Sequence, residues 1–438
     1  MAVPETRLPA TGRGRRIAGW MTAVAVAVTL GVAGAASLAM GQDPAPTATS
    51  DPVAALTAEL KAGGAPLTDS DDGRGYLASL LKRLDIAEDS QVLVFSKTSL
   101  QAKYIDPKSP RAIYFNDRVA VGFVPGAPLI EILAMGEDGQ TRFYAMPARS
   151  SKESAPAAAD GCSACHVTVA SPVPGPVVGS VLALETGEVS SAGENTITDA
   201  RSSFESRWGG WYVTGRHGTM THRGNSFASA GPPATIDYAA GQNVTDLSRF
   251  FDTGRYLEGT SDIVALMTLE HQVGFTALAT KLNAPSDPDY IEDMVRDLVD
   301  YMVGADEEVL SAPVEGVSSF SRTFPQRGPR DAQGRSLRDF DLRTRLFRYP
   351  LSFMVYSPAF DALRPELKDM VYRRLVEVLT GQDPEGKYAR FANGDGQAAL
   401  EILAATKPDL PDYWPRAAST HRAEASGSDF SRRDPSAS

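Results

Sequence analysis

The chain has 438 residues, of which 42% are hydrophobic and 22% are charged, and this composition excludes a disordered or fibrous protein. The formal net charge is −11. Residues 1–39 contain four arginines and one glutamate, so the net charge of the remainder is −14. An acidic surface of this kind argues against nucleic-acid binding and favours basic partners.

The N-terminus resembles a targeting segment. Three arginines between positions 13 and 16 precede an uncharged stretch, rich in Ala and Val, that runs to Met40. Ser37-Leu38-Ala39 resembles a small-residue cleavage site, and the stretch is also long enough to span a membrane. We therefore expect residues 1–39 to be a signal peptide or a membrane anchor and residues 40–52 to be a linker. The rest of the chain is then periplasmic or otherwise extracytoplasmic, with or without an anchor in the inner membrane.

Residues 53–150 are predicted to form an α/β region. Two short amphipathic helices, Val53–Ala62 and Arg74–Leu84, precede five β-rich runs that are separated by turn-forming residues. The runs are Gln91–Ser96, Ala112–Phe115, Val119–Val124, Leu129–Ala134 and Arg142–Met146. We expect an antiparallel meander with one buried face and a hairpin turn at Asn116-Asp117.

Both cysteines of the chain lie in the pentapeptide Cys162-Ser163-Ala164-Cys165-His166. This spacing is typical of covalent haem attachment, in which each thiol adds to one vinyl group and the two sulfurs straddle one edge of the porphyrin. The next residue then lies beneath the ring, where its imidazole reaches the iron. We therefore predict one covalent haem c, held by Cys162 and Cys165, with His166 as the proximal iron ligand. Export agrees with this prediction, because haem c is attached outside the cytoplasm.

Three other interpretations of the cysteines stay open at this stage. A thioredoxin-like dithiol requires a strand before the motif and a helix after it, whereas here an Ala-rich segment precedes and a Pro-containing, extended segment follows. A disulfide between residues three apart is strained. Zinc needs one ligand more than Cys162, Cys165 and His166 supply. The sequence favours haem c over all three.

The rest of the chain is predicted to comprise a haem c-binding region (151–305), a helical C-terminal region (306–415) and a disordered tail (416–438). Residues 148–180 are rich in Ala, Ser, Pro and Gly, which indicates a loop-rich surrounding for the cysteine motif. Residues 311–338 are expected to be an irregular connection. Helices are predicted at Ser261–Leu282, Pro288–Val303, Asp339–Tyr349, Pro365–Thr380 and Asp395–Thr406. The expected fold class is α+β: an N-terminal antiparallel β-meander, a loop-rich haem-bearing segment and a mostly helical C-terminal part.

Two histidines are candidates for the distal iron position. His271 lies on the apolar stripe of the predicted helix Ser261–Leu282, so it is a core histidine with a hydrogen-bond partner, a haem ligand or a distal catalytic residue. His217 lies in a glycine-punctuated loop together with Met220 and His222. That loop is either water-exposed or supplies His217 or Met220 to the iron.

Aromatic and basic residues supply further candidates. Trp208, Trp211 and Tyr212 either wall the haem pocket or belong to an ordinary core. Eight arginines lie between Arg322 and Arg348, and one or two of them are candidates for binding haem propionates. The same patch is a candidate docking surface for a negatively charged partner, and a solvated Arg-rich loop is the other interpretation.

Several strings of the sequence are similar to a largely uncharacterised group of bacterial single-haem cytochrome c-like proteins. The strings are Gln91–Ser99, Pro110–Asp117, Cys162–His166, Trp208–Gly215, Ser261–Met267 with Glu270-His271-Gln272, and Leu342–Tyr356, and together they span residues 90–415. The resemblance implies a shared fold around a c-type haem that is carried at Cys162, Cys165 and His166. It supplies no substrate, partner or sixth ligand.

The sequence therefore predicts an exported c-type cytochrome that transfers single electrons to or from an unidentified redox partner protein, with His271 or His217 as the distal ligand. No nucleic acid is expected as a partner, and the N-terminal apolar segment is a candidate membrane tether. The alternative is a periplasmic, peroxidase-like oxidoreductase with an open distal iron position, where a histidine and a nearby arginine assist by acid–base chemistry. A haem-based sensor or a component of a respiratory complex is a third class.

Overall fold

Helices and an antiparallel sheet occur together in this chain, so the fold class is α+β. The computed structural model describes residues 51–150, 154–159, 161–162, 166, 174–191, 195–229, 236–383, 386–391 and 394–415. The predicted signal or anchor segment, Cys165 and the predicted tail lie outside the described residues. The described residues between 51 and 415 belong to one compact unit.

The largest sheet in the described part of the chain has seven strands, and each pairs antiparallel with its neighbours. The strands are β1 (Val92–Val94), β2 (Arg111–Phe115), β3 (Val119–Phe123), β4 (Leu129–Met135), β5 (Thr141–Pro147), β6 (Ala157–Ala158) and β9 (Trp211–Tyr212), while β7 (Gly179–Ser180) and β8 (Thr196–Ile197) form a separate pair. The order across the large sheet is β6-β5-β4-β3-β2-β1-β9. Each of the five predicted β-rich runs overlaps one of its strands. The predicted turn also occurs, because Asn116 Oδ1 accepts hydrogen bonds from the backbone N–H groups of Arg118 and Val119.

Helices lie at both ends of the chain. They are α1 (Pro52–Lys61), α2 (Leu77–Arg83), α3 (Ile263–Asn283), α4 (Ile291–Met302), α5 (Phe320–Thr323), α6 (Pro358–Asp361), α7 (Pro365–Leu379) and α8 (Asp395–Thr406). Short 3₁₀ turns occupy Glu88–Ser90, Ala102–Tyr104, Phe204–Ser206, Ala239–Gly241, Thr253–Arg255, Pro288–Tyr290, Phe324–Arg327, Phe353–Tyr356 and Ala389–Phe391. Part of the segment 311–338, predicted to be irregular, is therefore helical, at α5 and the 3₁₀ turn that follows it.

The predicted helix over Asp339–Tyr349 is wrong. The segment folds back on itself, with a bridge between Phe340 and Phe347. The Asp341 carboxylate accepts hydrogen bonds from the backbone N–H of Thr344 and from its hydroxyl, which competes with helical hydrogen bonding. Leu342 adopts a φ of 57°, which no right-handed helix contains. Local side-chain bonding therefore overrides the helical periodicity of this segment.

The large sheet separates two hydrophobic cores. Because successive side chains of a strand point to opposite faces, Leu93 joins a core with α1 and α2, while Val92 and Val94 join a second core with α3, α4, α7 and α8. On the second face, residues of β2 to β5 such as Ile113 and Phe143 are only half-buried. This sheet is therefore apolar on both sides and incompletely covered on one.

Helix α3 runs through the second core. It is long and apolar enough to cross a membrane by length and composition, but 83% of its apolar window is buried inside the protein, as in a core helix. Asp262 is the N-cap of this helix, and its Oδ1 accepts a hydrogen bond from Val264 N at 2.8 Å. Its Oδ2 accepts hydrogen bonds from Val317 N and Ser318 N, each at 2.8 Å. One buried carboxylate thus caps the helix and attaches the segment 317–318 to it.

We expect Asp262→Ala to lower the free energy of unfolding by about 3 kcal/mol. The change removes a helix cap, typically worth about 1 kcal/mol, and leaves the part-buried Val317 and Ser318 N–H groups without their acceptor, at about 1 kcal/mol each. Urea unfolding followed by circular dichroism measures the loss. Asp252→Ala is the matched control, because Asp252 is exposed and caps only a 3₁₀ turn. Equal losses in the two variants contradict the role given to Asp262.

Candidate functional site

A pocket of about 890 Å³, counted with its open mouth, lies on the incompletely covered face of the sheet. Its lining includes Arg111, Ile113, Ala120, Gly122, Glu131, Leu133 and Phe143 from β2 to β5, Trp211 from β9, Leu269 and Val273 from α3, and Cys162 and His166. The structure therefore brings Cys162 and His166 together at one recess with a largely apolar floor.

His166 is held in the tautomer that binds metals. Its Nδ1 lies 2.8 Å from the carbonyl oxygen of Gly175. Because a carbonyl only accepts, Nδ1 carries the proton and donates it, and Nε2 keeps its lone pair. Burial lowers the pKa of His166 below its ordinary value of 6.5, and the nearby Arg111 guanidinium acts in the same direction, while the Gly175 carbonyl opposes them. The imidazole is therefore neutral at pH 7 and oriented by a backbone acceptor.

Cys162 and His166 are also joined through the backbone, since His166 N donates to the Cys162 carbonyl oxygen at 3.3 Å. Phe143 of β5 packs against the imidazole with ring centroids 4.8 Å apart. Cys165 lies outside the described residues, so its predicted thioether link stays a prediction. No group of three or more His, Cys, Asp or Glu side chains suited to a metal ion occurs in the described part of the chain, so zinc finds no further described ligand beside Cys162 and His166.

Two charged residues that the sequence did not single out lie in the same pocket. Arg111 Nη1 donates to Glu131 Oε2 at 3.3 Å, and Ser99 Oγ donates to the same carboxylate at 3.1 Å. Arg111 Nε is buried and has no hydrogen-bond partner among the described residues. A guanidinium with an unused buried donor fits an anionic group placed in the pocket, such as a haem propionate.

Gly122 explains how Arg111 reaches Glu131. It lies on β3 in register with Glu131 of β4, between the strands that carry the two charged residues. A Cβ at Gly122 would lie 3.6 Å from Arg111 Cδ and 3.7 Å from Glu131 Cβ, so the missing side chain leaves the space that Arg111 crosses. Glycine inside a strand often marks such a close approach, and it was the available sequence signal for this pair.

The donor set as a whole fits a covalently attached haem. A thiol, a neutral imidazole with its metal-binding nitrogen unprotonated, apolar side chains from five strands and one helix, and an unpaired guanidinium donor line the same recess. These groups match, in turn, a vinyl carbon, an iron, a porphyrin face and a carboxylate.

The structure does not bring His271 to this pocket. Its Nε2 lies 2.6 Å from Ser352 Oγ, and its ring stacks on Tyr301 with centroids 5.3 Å apart. Helix α3 instead lines the pocket with Leu269 and Val273. Residues two positions apart in a helix differ by about 200° around its axis, so His271 faces away when these two face the pocket. The predicted distal role of His271 has no support in this geometry, and a core histidine with a hydrogen-bond partner is what the structure shows.

His217 is also remote from the pocket lining. It is buried, its Nε2 accepts a hydrogen bond from Asn243 N at 3.0 Å, and its ring lies against that of His222 with centroids 4.7 Å apart. Met220 packs in the second core. The loop exposes Arg216 and Thr219 to water, whereas His217 and Met220 are buried, and none of its residues lines the pocket. Neither His217 nor Met220 is therefore placed as a distal ligand there. Asn243 fixes His217 twice, since its side-chain amide oxygen accepts a hydrogen bond from His217 N and its backbone N–H donates to His217 Nε2.

Only one of the three aromatic candidates lines the pocket. Trp211 lines the pocket and donates its indole N–H to the Gly179 carbonyl at 2.7 Å, whereas Trp208 packs against His222 and Tyr212 joins the opposite core.

None of the arginines between Arg322 and Arg348 lines the pocket. Five of the eight form ion pairs with acids: Arg327 with Asp85, Arg330 with Asp339, Arg335 with Asp331, Arg338 with Asp117 and Arg345 with Asp395. The arginine that does line the pocket is Arg111.

Comparisons with family models, with curated proteins and with solved structures found no match to this chain.

The buried imidazoles predict loss of stability in mild acid. Burial lowers the pKa of His271 to about 4 and that of His222 to about 3, in the latter case with help from His217. Both rings are neutral in the folded chain, while unfolded histidine takes up a proton below about pH 6.5. Stability is therefore complete above that pH and falls as the pH drops, by about 2 kcal/mol for each ring between pH 6.5 and 5.

Urea unfolding at pH 7 and pH 5 measures this dependence. His271→Gln retains a polar group that can bond Ser352 but does not titrate, so its loss between the two pH values should be about 2 kcal/mol smaller than that of the unchanged chain. If His271→Gln loses as much stability between pH 7 and pH 5 as the unchanged chain does, the assignment of His271 as a neutral core residue is contradicted.

Proposed function

We propose that this chain is an exported, single-haem c-type cytochrome that transfers electrons, with the haem linked to Cys162 and Cys165 and its iron bound by His166. The observation that supports this most is the joint position of Cys162 and His166 at one pocket, with His166 in its metal-binding tautomer. When bound, haem c supplies one-electron chemistry. In this proposal the sheet is the floor, the loop-rich segment carries the haem and α3 forms a wall.

The residues around the pocket then have separate tasks. The Gly175 carbonyl holds the His166 ring in place and makes the Nε2 lone pair more basic, which strengthens Nε2 as a metal ligand. Ile113, Leu133 and Phe143 exclude water, and a low local dielectric favours the less charged, reduced form of the centre. The positive charge of Arg111 acts in the same direction, and Glu131 moderates it.

The pocket mouth suits transient contact with a protein partner. Leu100 lines the pocket and is 66% exposed, so an apolar side chain marks the point where the cofactor edge would approach the surface. Electron-transfer complexes use small interfaces that form and separate quickly. Because the chain is acidic, we propose a basic redox partner outside the cytoplasm, and no nucleic acid.

Covalent haem is tested by producing the chain in cells that mature cytochromes c and staining a denaturing gel for haem. We expect the polypeptide to retain haem, Cys162→Ala with Cys165→Ala to lose it, and His166→Ala to change the absorption spectrum. His271→Gln and His217→Gln are the controls, and both should keep the spectrum of the unchanged chain because neither residue lines the pocket. A colourless chain with two free thiols, or a chain that holds zinc, contradicts the proposal.

A second candidate function is favoured by the pocket lining itself. Among the described lining residues, His166 alone offers an imidazole or thioether, so electron transfer with two protein ligands needs its second ligand from outside this described lining. The Arg111–Glu131 pair and Ser99 provide polar groups instead. In a peroxidase-like oxidoreductase, Glu131 would accept a proton from a small molecule in the pocket and Arg111 would donate a hydrogen bond to it.

Carbon monoxide separates the two functions. Electron transfer predicts no rapid spectral change when the reduced protein meets carbon monoxide, because two protein side chains would already hold the iron. The second predicts rapid binding, and Glu131→Gln should then lower peroxidase turnover by about 10²-fold or more while leaving carbon monoxide binding in place. Rapid binding without any effect of Glu131→Gln on turnover rejects the acid–base role of Glu131.

A further inference from the structure

A second recess, which the proposed function does not use, lies beside the β2–β3 hairpin. It encloses about 690 Å³, counted to its mouth, between the hairpin residues 115–118 and the α5 region. Three arginines (Arg118, Arg327, Arg338) and three aspartates (Asp85, Asp89, Asp117) line it, so the formal charge of its ionisable lining is zero.

Three charged groups of this recess each have a buried atom without a hydrogen-bond partner in the described part of the chain. These atoms are Arg118 Nε, Arg338 Nε and Asp89 Oδ1. A buried polar atom without a partner costs about 1–3 kcal/mol, and more when its group is charged. Three such atoms around one recess indicate that something other than protein completes their hydrogen bonds.

Two of the three groups are fixed in place. The Arg338 guanidinium lies 4.7 Å from the ring centroids of both Phe324 and Phe353 and forms an ion pair with Asp117. Asp89 uses its other oxygen, Oδ2, to accept hydrogen bonds from Ser319 at 2.5 Å and Thr323 at 2.6 Å. The unsatisfied atoms of Arg338 and Asp89 therefore cannot turn to a protein partner without breaking these contacts.

Arg118 differs from the other two. Its backbone N–H donates to Asn116 Oδ1, but its side chain makes no ion pair or hydrogen bond with the residues that the structure describes. Its guanidinium is thus available to a ligand at no loss of an existing contact.

A ligand that satisfies these atoms must carry one hydrogen-bond acceptor group and one donor group. The two arginine Nε atoms need an acceptor, and Asp89 Oδ1 needs a donor. The three aspartates disfavour a ligand with two or more negative charges, such as phosphate, while Phe115 and Phe320 offer an apolar wall for a carbon skeleton. We propose that this recess binds a small monocarboxylate that carries a hydroxyl or ammonium group next to its carboxylate, with the carboxylate on Arg118 and Arg338 and the donor on Asp89.

Titration calorimetry on the full chain tests the proposal with lactate, alanine and propionate, because propionate has the skeleton of lactate without its hydroxyl. We expect lactate or alanine to bind saturably and about tenfold more tightly than propionate, as the loss of one hydrogen bond to a charged group implies. Arg118→Met should weaken that binding about tenfold or more. Arg373→Met, which removes a 60% exposed arginine on α7, is the matched control for charge and should leave binding unchanged.

Three results overturn the proposal: no saturable binding of lactate or alanine, binding that Arg118→Met does not weaken, or equal binding of propionate and lactate. The first result assigns the three atoms to ordered water, the second places the acid elsewhere on the chain, and the third means that Asp89 does not bind the added donor group. Haem staining of the same variants reports separately on the proposed function, because neither Arg118 nor Arg373 lines the Cys162–His166 pocket.

Discussion

The architecture depends on a sheet that is apolar on both faces and therefore needs a cover on both. Helices α1 and α2 cover one face, where side chains such as Tyr114 and Ile132 are fully buried. On the other face the α3 core covers only part of the strands, and Ile113 and Phe143 stay half-buried at the pocket. A flat apolar cofactor supplied by the Cys162–His166 segment would complete this cover, so haem binding and sheet stability are coupled in the proposed protein.

Helix α3 contributes residues both to the pocket and to the second core, because its period of about 3.6 residues places alternate positions on opposite sides of the helix. Leu269 and Val273 face the pocket, while His271 between them faces the second core and bonds Ser352. The buried carboxylate of Asp262 fixes where the helix begins and which segment packs on its first turn. A single cap therefore sets the position of a pocket wall and of a buried polar pair on the opposite side.

Local patterns predicted much of this molecule, and long-range proximity accounts for what they missed. The strands from β1 to β5 follow from alternation, and the position of Cys162 and His166 at one pocket follows from their closeness in sequence, so both are local. The partnership of Arg111 with Glu131 joins residues on two non-adjacent strands, and only Gly122 hinted at it. The stripe that contains His271 predicted burial correctly, but burial in a core is also satisfied by a serine hydroxyl, so periodicity alone does not distinguish a metal ligand from a hydrogen-bonded residue.

The ion pairs of the Arg-rich segment also bear on the kind of partner. Five of its arginines pair with acids, among them Arg338 with Asp117 and Arg345 with Asp395, so more than half of the positive charge of this segment is paired within the chain. The unneutralised charge of the chain is negative, −14 without residues 1–39. Long-range steering then favours a positively charged partner, while the exposed Leu100 at the pocket mouth gives the short-range apolar contact. A basic partner that approaches at this mouth is the arrangement in which the two forces act together.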